Sequence, residues 1–279
     1  MSRALLVAVL LVLAGCNAPA GEPTVGESVT AAPVPEVPTT ATPAGRFAPG
    51  VRDDGVDGTR LADAHERALA NASYTVNQTL VRRYANGSLR WRYVTVGRFG
   101  ATPGRFATVL DRTDREDGAL RTRTVRRYGD GERAYQSVTE GNTTTAGLLR
   151  WPEGDPRDPG DVYPDRLTNA RAIERVFTLV ETRRTGTVVV NGTRYARIES
   201  VANASVPPLW NVTVTALVSP EGLVREYRVA YDVTRDDGSV RSVVALSYTR
   251  VGETRVTPPP WVESIRNETT ERRPLRPLS

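Results

Sequence analysis

The sequence predicts an α+β fold in which a strongly curved antiparallel sheet, a half-barrel, wraps around two or three helices. Three observations support this fold class. Segments with alternating apolar and polar residues recur along the chain and are joined by turns rich in Gly, Asn and Asp, which is typical of hairpin-linked antiparallel strands. Two other segments repeat apolar residues at helical spacing. Because these helices precede the two runs of strands, they are available to cover the apolar side of one sheet.

The chain begins with a pattern typical of an exported lipoprotein. A short apolar run follows Arg3 and ends at Leu13-Ala14-Gly15-Cys16, a lipobox that contains the single cysteine. We expect residues 1–15 to be a signal peptide, whose removal leaves Cys16 as the lipidated first residue. The alternative is a membrane-spanning helix, which needs roughly 20 apolar residues, more than this run provides. The pattern predicts a protein anchored by its lipid on the extracellular face of the cell membrane.

Composition divides the rest of the chain into three parts. Residues 16–50 are rich in Pro, Ala and Thr and contain almost no large apolar residue, so we interpret them as the lipidated cysteine followed by a disordered tether. Residues 51–266 are predicted to form a single α+β domain. Residues 267–279 are predicted to be a flexible polar tail.

The first half of the domain is predicted to contain one helix and five strands. The helix begins with Thr59 as its N-cap and ends near Ala70, with His65 on its apolar stripe. Residues 141–164 hold four prolines and are predicted to be a long loop. The strands are Ser73–Arg83, Leu89–Phe99, Arg105–Arg112, Leu120–Tyr128 and Glu132–Glu140.

The second half repeats this order. A helix is predicted over Asp165–Glu181, and Trp261, Val262 and Ile265 are expected to dock as a short closing turn or helix. Asn77 and Asn211 alternate with the apolar side chains of their strands, so both should face solvent. The strands are Thr187–Val190, Thr193–Val201, Leu209–Val218, Leu223–Thr234 and Val240–Val251.

Asn-x-Ser/Thr triplets are unusually frequent. Eight of the ten asparagines begin such a triplet, which is the acceptor for N-glycosylation in exported proteins. The alternative is compositional, because Asn, Ser and Thr all favour turns and exposed strand faces. The predicted glycosylation sites are Asn71, Asn77, Asn86, Asn142, Asn191, Asn203, Asn211 and Asn267.

The chain is basic, with a formal net charge of +5 and a pI near 9.6. All 37 basic residues are arginines, and they are scattered rather than gathered into a run of five or more. This distribution favours a solvated face over a nucleic-acid interface, and we predict no nucleic-acid partner. The single cysteine excludes a disulfide from the mature domain.

Catalytic patterns are lacking. His65 is the only histidine, and no cysteine or second histidine accompanies it in the domain to complete a metal site. The pairs Asp53-Asp54 and Asp236-Asp237 lie beside glycines, where turn chemistry explains them; a calcium site is the alternative. We therefore predict no enzyme, no cofactor and no metal.

Several segments carry a resemblance to a known superfamily. They are the stretch from Ala68 to Leu80 with its Tyr-Thr-Val-Asn-Gln-Thr strand, then Asn86-Gly87-Ser88-Leu89, Gly104-Arg105-Phe106 and Gly131-Glu132-Arg133-Ala134-Tyr135. In element order the chain resembles the lipoprotein-carrier superfamily, which includes the LolA-like and LppX-like proteins. Its lipobox, tether and acceptor triplets are similar to those of uncharacterised cell-surface lipoproteins of halophilic archaea. The resemblance implies a half-barrel and a lipid or other apolar ligand held between sheet and helices.

The ligand would lie in a groove lined by the apolar faces of the strands. The alternative for each lining residue is a closed core, and the alternative function is an envelope scaffold or interaction protein without a ligand. An empty space of several hundred Å³ between sheet and helices would favour the ligand. The predicted lining residues are Tyr74, Val76, Leu80, Trp91, Tyr93, Trp210, Val212, Val214, Tyr227, Val229 and Tyr231.

Overall fold

The computed structural model describes residues 45–152, 154–235 and 238–271 of the chain. The predicted signal peptide, Cys16, nearly all of the tether and the Asp236-Asp237 pair lie outside these residues. Four helices are described: α1 (Gly58–Ala70), α2 (Pro159–Val162), α3 (Ala170–Leu179) and α4 (Pro260–Glu271). The strands are β1 (Arg46–Ala48), β2 (Val51–Arg52), β3 (Tyr74–Tyr84), β4 (Leu89–Phe99), β5 (Arg105–Glu116), β6 (Ala119–Asp130), β7 (Ala134–Glu140), β8 (Thr143–Leu148), β9 (Thr182–Val190), β10 (Thr193–Ser200), β11 (Ala204–Val206), β12 (Leu209–Val218), β13 (Val224–Arg235) and β14 (Gly238–Thr249).

Twelve of the strands form one antiparallel sheet. Their order is β8-β7-β6-β5-β4-β3-β14-β13-β12-β10-β9, and β11 pairs with the beginning of β12 beside β10. β1 and β2 form a separate two-stranded sheet. The large sheet does not close into a barrel, because β8 and β9 remain its two edges. The predicted α+β class with an open antiparallel sheet is confirmed.

Helices α1 and α3 cover one face of the sheet, which we call the inner face. The core between them and the sheet includes Leu61 of α1 and Ile173 of α3, together with Val76 of β3; all three side chains are fully buried. The two helices approach closely at Gly58, where an added Cβ would lie 2.7 Å from the carbonyl oxygen of Glu174. Burial of these apolar faces is the main term that stabilises the domain.

Helix α4 packs on the opposite, outer face. Its Val262 is fully buried against Tyr128 and Tyr135, and these three residues form a second apolar core. The predicted closing helix is therefore present, but the sheet does not wrap around it. Helix α4 continues to Glu271, beyond the predicted domain end at residue 266.

The helix boundaries differ from the prediction for local reasons. The N-cap of α1 is Asp57 rather than Thr59, and the Asp57 carboxylate accepts a hydrogen bond from the backbone N–H of Arg60. Helix α3 begins at Ala170 rather than Asp165, because Arg166, Leu167 and Asn169 have positive φ angles that interrupt a helix.

The predicted loop over residues 141–164 is wrong in part. It contains the edge strand β8, whose threonines pair with β7, and the short helix α2, which begins after an Asp158 cap. Strands β1, β2 and β11 were not predicted. Strand β4 and strand β12 begin and end where the alternation places them.

Candidate functional site

The predicted ligand-lining residues separate into three groups. The first group is closed core: Tyr74 and Val76 are fully buried, and Val214 is 1% exposed. These three side chains pack in the core between the helices and the sheet, which agrees with the closed-core alternative for them. The same packed core includes Val212, Tyr227 and Val229.

The second group is Trp210 alone, which points to the outer face of the sheet and is 44% exposed. It pairs with Asp232, and the register of β12 shifts between Trp210 and Thr213. Asn211 has a φ of 51°, a left-handed conformation that Asn tolerates better than most residues. This bulge adds one residue to the alternation, so Trp210 and Val212 do not share a face.

The third group lies farther along the inner face and is half-buried: Leu80, Trp91, Tyr93 and Tyr231. Tyr231 still packs against the helix-covered core. The other three lie beyond a polar row in which Thr108 contacts the hydroxyl of Tyr163 at 3.0 Å.

Beyond that row, apolar residues of five strands line up across the inner face. Leu80 pairs with Tyr93, Leu110 pairs with Val125, and Val125 pairs with Val138. All are half-buried, and neither apolar core includes them among the described residues. We call this surface the open strip; it consists of Leu80, Trp91, Tyr93, Leu110, Val125 and Val138.

Aromatic rings and arginines alternate at one end of the strip. The rings of Trp91 and Tyr93 stack with centroids 4.6 Å apart. The guanidinium of Arg82 lies 4.9 Å from the Trp91 ring, and that of Arg112 lies 5.1 Å from the Tyr93 ring. Burial and the neighbouring carboxylate of Asp114 raise the pKa of the Tyr93 hydroxyl, which donates a hydrogen bond to that carboxylate at 3.2 Å.

Three arginines border the strip. Arg112 pairs with Arg123 across β5 and β6, and Arg121 lies two residues from Arg123 on the same face. Arg112 forms an ion pair with Asp114, and Arg121 lies 3.6 Å from Glu116. Arg123 is exposed, and its side chain forms no hydrogen bond or ion pair with a described residue. This edge of the strip therefore combines three arginines with Asp114, Glu116 and Glu140, and Glu140 lies opposite Arg123 on β7 without forming an ion pair with it.

A second concavity lies on the outer face, away from the predicted groove. It is an open groove of about 700 Å³ that crosses β3, β14, β13, β12, β10 and β9. Most of the side chains that line it are short, polar or charged. They include Asn77, Thr79, Thr215, Arg228, Ala245 and Ser247. We call this the outer groove.

His65 has a structural role. Its Nε2 atom lies 2.9 Å from the carbonyl oxygen of Thr168, and its Nδ1 atom accepts a hydrogen bond from the backbone N–H of Val224 at 3.1 Å. Burial lowers the pKa of His65 to about 4, so the ring is neutral at pH 7. Both ring nitrogens are used within the fold, which agrees with the prediction that His65 belongs to the apolar stripe of its helix.

All eight predicted glycosylation sites are exposed, including the strand residues Asn77 and Asn211. Both asparagines are exposed as predicted, although the bulge at Asn211 interrupts the alternation that was predicted for β12. Asn86 and Asn191 lie in hairpin turns, and Asn71 is the C-cap of α1.

Metal-binding clusters and membrane-spanning helices are both absent from the described part of the chain. Within residues 45–152, 154–235 and 238–271, no three side chains of His, Cys, Asp or Glu are grouped so that they could hold a metal ion. No helix in the same part of the chain combines the length and apolar character needed to cross a membrane.

The chain is similar to several solved structures at low sequence identity. LprF from Mycobacterium bovis is 12% identical, with a TM-score of 0.40, over 73% of this chain and 96% of that protein. A LolA superfamily protein from Nitrosomonas europaea is 11% identical, with a TM-score of 0.25, over 73% of this chain and 96% of that one. A putative outer membrane lipoprotein-sorting protein domain from Vibrio parahaemolyticus is 7% identical, with a TM-score of 0.23, over 77% and 98%.

At these scores the similarities carry no argument about activity or ligand. No protein with a curated description matches the sequence. A family model does match, over residues 2–265. The chain therefore belongs to DUF7537, a family of unknown function.

Proposed function

We propose that this protein is a lipid-anchored glycoprotein of the outer cell surface that binds an amphiphile and catalyses no reaction. The ligand has an apolar chain, which lies on the open strip, and an anionic head, which contacts the bordering arginines. This places the ligand on the inner face beyond the helices, rather than between the helices and the sheet.

The observation that supports the proposal is the open strip itself. Its aliphatic and aromatic side chains point to the inner face, yet they belong to neither apolar core of the described residues. Apolar surface that remains in water costs about 25 cal/mol for each Å². A strip from Leu80 on β3 to Val138 on β7 spans five strands, roughly 19 Å at the usual strand spacing, which suits an extended chain.

The charge of the ligand follows from the arginines. Arg123 has no partner among the described residues, and Arg112 lies directly beside it on β5. Guanidinium groups form paired hydrogen bonds with carboxylate or phosphate oxygens. An anionic head at this position would remain in contact with water while the chain covers Leu110 and Val125. A neutral apolar molecule would give these guanidinium groups no anionic partner.

The anchor and the tether explain how such a site could work at a membrane. A lipid on Cys16 would hold the domain near the bilayer, and the proposed tether of about 28 residues before residue 45 would have an r.m.s. reach of roughly 30 Å. A binding face with that reach can exchange an amphiphile with the membrane surface.

Binding of a dansylated fatty acid to the purified full chain without its signal peptide tests the proposal. We expect the probe to bind at micromolar concentration. Val125→Glu, which places a negative charge in the middle of the strip, should weaken binding at least tenfold. Arg123→Glu should weaken binding of the anionic probe and leave binding of its neutral alcohol analogue nearly unchanged.

Val189→Glu is the matched control, because Val189 is 63% exposed on β9, outside the strip. It should leave the affinity unchanged. If wild-type protein binds neither probe, or if Val189→Glu reduces binding as much as Val125→Glu, the amphiphile proposal is overturned and the protein is better explained as an envelope scaffold.

A further inference from the structure

One of the eight acceptor asparagines differs from the other seven in its position. Asn77 lies within β3, a central strand paired on both sides, and both Asn77 and Thr79 of its acceptor triplet line the outer groove. We infer that the outer groove binds the glycan attached to Asn77, so that this sugar chain folds back onto the protein.

The other acceptor asparagines do not offer such a surface. Asn86 and Asn191 lie in hairpin turns, and Asn142 lies in the turn between β7 and β8. Asn211 is on a strand, but its side-chain amide donates a hydrogen bond to Asp232 at 2.9 Å. The remaining three are the helix cap Asn71, the loop residue Asn203 and Asn267 of α4. None of these seven lines the outer groove.

The register of the sheet shows what the glycan would meet. Asn77 pairs with Ser247 on β14, which pairs with Glu226 on β13. The next row, two residues along β3, runs from Thr79 through Ala245 to Arg228. A sugar chain that leaves Asn77 toward β13 therefore crosses small side chains first and reaches charged ones afterwards. The small side chains leave room for a sugar chain above the strands. The groove has a volume of about 700 Å³, which is the size of a ligand pocket.

The polar groups of the groove are available to a saccharide. Asn77, Thr79, Thr215 and Ser247 make no side-chain hydrogen bond with a described residue, and neither does Arg228. Hydroxyl and guanidinium groups can donate to the many oxygens of a sugar, and the guanidinium of Arg228 favours an acidic one. A purely apolar occupant would bury these donors without partners, which costs free energy.

The inference depends on the export and glycosylation proposed above, but not on the amphiphile. Mass spectrometry of peptides from protein made in its own host separates the possibilities. Glycan on Asn77 is expected, together with glycan on turn sites such as Asn86. If every acceptor site is bare, the glycoprotein part of the proposed function fails. If Asn86 is modified and Asn77 is bare, only the present inference fails.

Occupancy alone does not show that the glycan lies in the groove, so a double-mutant cycle follows. Thr79→Val removes the acceptor hydroxyl while it keeps the shape of the side chain, and Thr79→Ser retains the acceptor. In host-made protein, Arg228→Gln should lower the melting temperature and increase hydrogen exchange in β13 and β14. In the Thr79→Val background, Arg228→Gln should have little effect, because the glycan that Arg228 contacts is missing.

The same variants made in a bacterial host without N-glycosylation provide the control. There, Thr79→Val and wild type should melt at nearly the same temperature, which shows that the substitution itself does not disturb the strand. Ser88→Ala, which removes the acceptor at Asn86, should leave the effect of Arg228→Gln unchanged in host-made protein. If Arg228→Gln has equal effects with and without the Asn77 acceptor, the glycan does not lie in the groove and the inference is overturned.

Discussion

The Nε2 atom of His65 lies 2.9 Å from the carbonyl oxygen of Thr168, and this bond joins α1 to the segment that precedes α3. The hydroxyl of Tyr248 donates to the same carbonyl at 2.6 Å. Side chains of helix α1 and the central strand β14 thus both contact one backbone oxygen of the loop before α3, on the inner side of the sheet. Because Nδ1 accepts from the N–H of Val224, protonation of the ring would remove that acceptor and place a charge in the core.

Acid should destabilise the domain through His65. Burial lowers the pKa of His65 from 6.5 to about 4 in the folded state. The unfolded state therefore binds the proton more readily, and stability is lost as the pH falls from 6.5 toward 4. This group should contribute a loss of about 3 kcal/mol. Urea unfolding of wild type and His65→Gln at a series of pH values measures it. An equal pH dependence for both proteins between 6.5 and 4 would contradict the assignment.

Arg166 should be a strong determinant of stability. Its guanidinium donates to the carbonyl oxygens of Ala70, Ala72 and Gly100 at 2.6 to 2.7 Å, and to that of Leu69 at 3.2 Å. The bonds to Leu69 and Ala70 satisfy the last carbonyls of α1. Arg166→Met should lower the free energy of unfolding by about 2–4 kcal/mol. Arg171→Met, at an exposed position of α3, is the control and should change it by less than about 0.5 kcal/mol.

Gly58→Ala should destabilise the contact between α1 and α3. An added Cβ would lie 2.7 Å from the carbonyl oxygen of Glu174 and 2.7 Å from Oγ1 of Thr178. Although Ala is the better helix former, this overlap should cost about 1–3 kcal/mol. Gly147→Ala on β8 is the control, because no atom lies within 4 Å of its added Cβ. Thermal unfolding of the two variants checks this, and equal melting temperatures would show that the helices can separate without cost.

If Cys16 carries the proposed lipid, Cys16→Ser should release the protein from membranes into the medium, because the thiol needed for lipidation is lost. Asn17→Gln, at the next residue, should leave the protein attached. Fractionation of cells followed by immunoblotting measures both. Retention of Cys16→Ser in membranes after a carbonate wash would show that another part of the chain provides the anchor.

Alternation predicted most of the fold, because each half-buried strand must keep its apolar residues on one side. Leu89–Phe99 and Leu209–Val218 are therefore found where the pattern places them. The orientation of Trp210 was beyond that pattern. The sequence Trp-Asn-Val-Thr-Val alternates without interruption, and the bulge at Asn211 leaves only the tolerance of Asn for positive φ as a signal.

The sites were harder to predict than the strands. Alternation predicted that Leu80, Trp91 and Tyr93 lie on the inner face, but the sequence does not show where the helices stop covering that face. Arg166 was missed, since its four acceptors are more than 60 residues away in the chain. The outer groove is lined by residues from six strands that are distant in the chain, so no local pattern predicts it.

The pairing of β3 with β14 affects how the chain can fold. Tyr84 pairs with Val240 and Thr75 pairs with Thr249, so the two central strands are more than 150 residues apart in the chain. Until β14 has been synthesised, β3 therefore has one unpaired backbone edge. Contacts of such long sequence separation slow folding, and an unpaired central strand invites association with other chains. Large hydrophilic groups on the early segments, such as a glycan on Asn77 or Asn86, would shield that edge while the chain is incomplete.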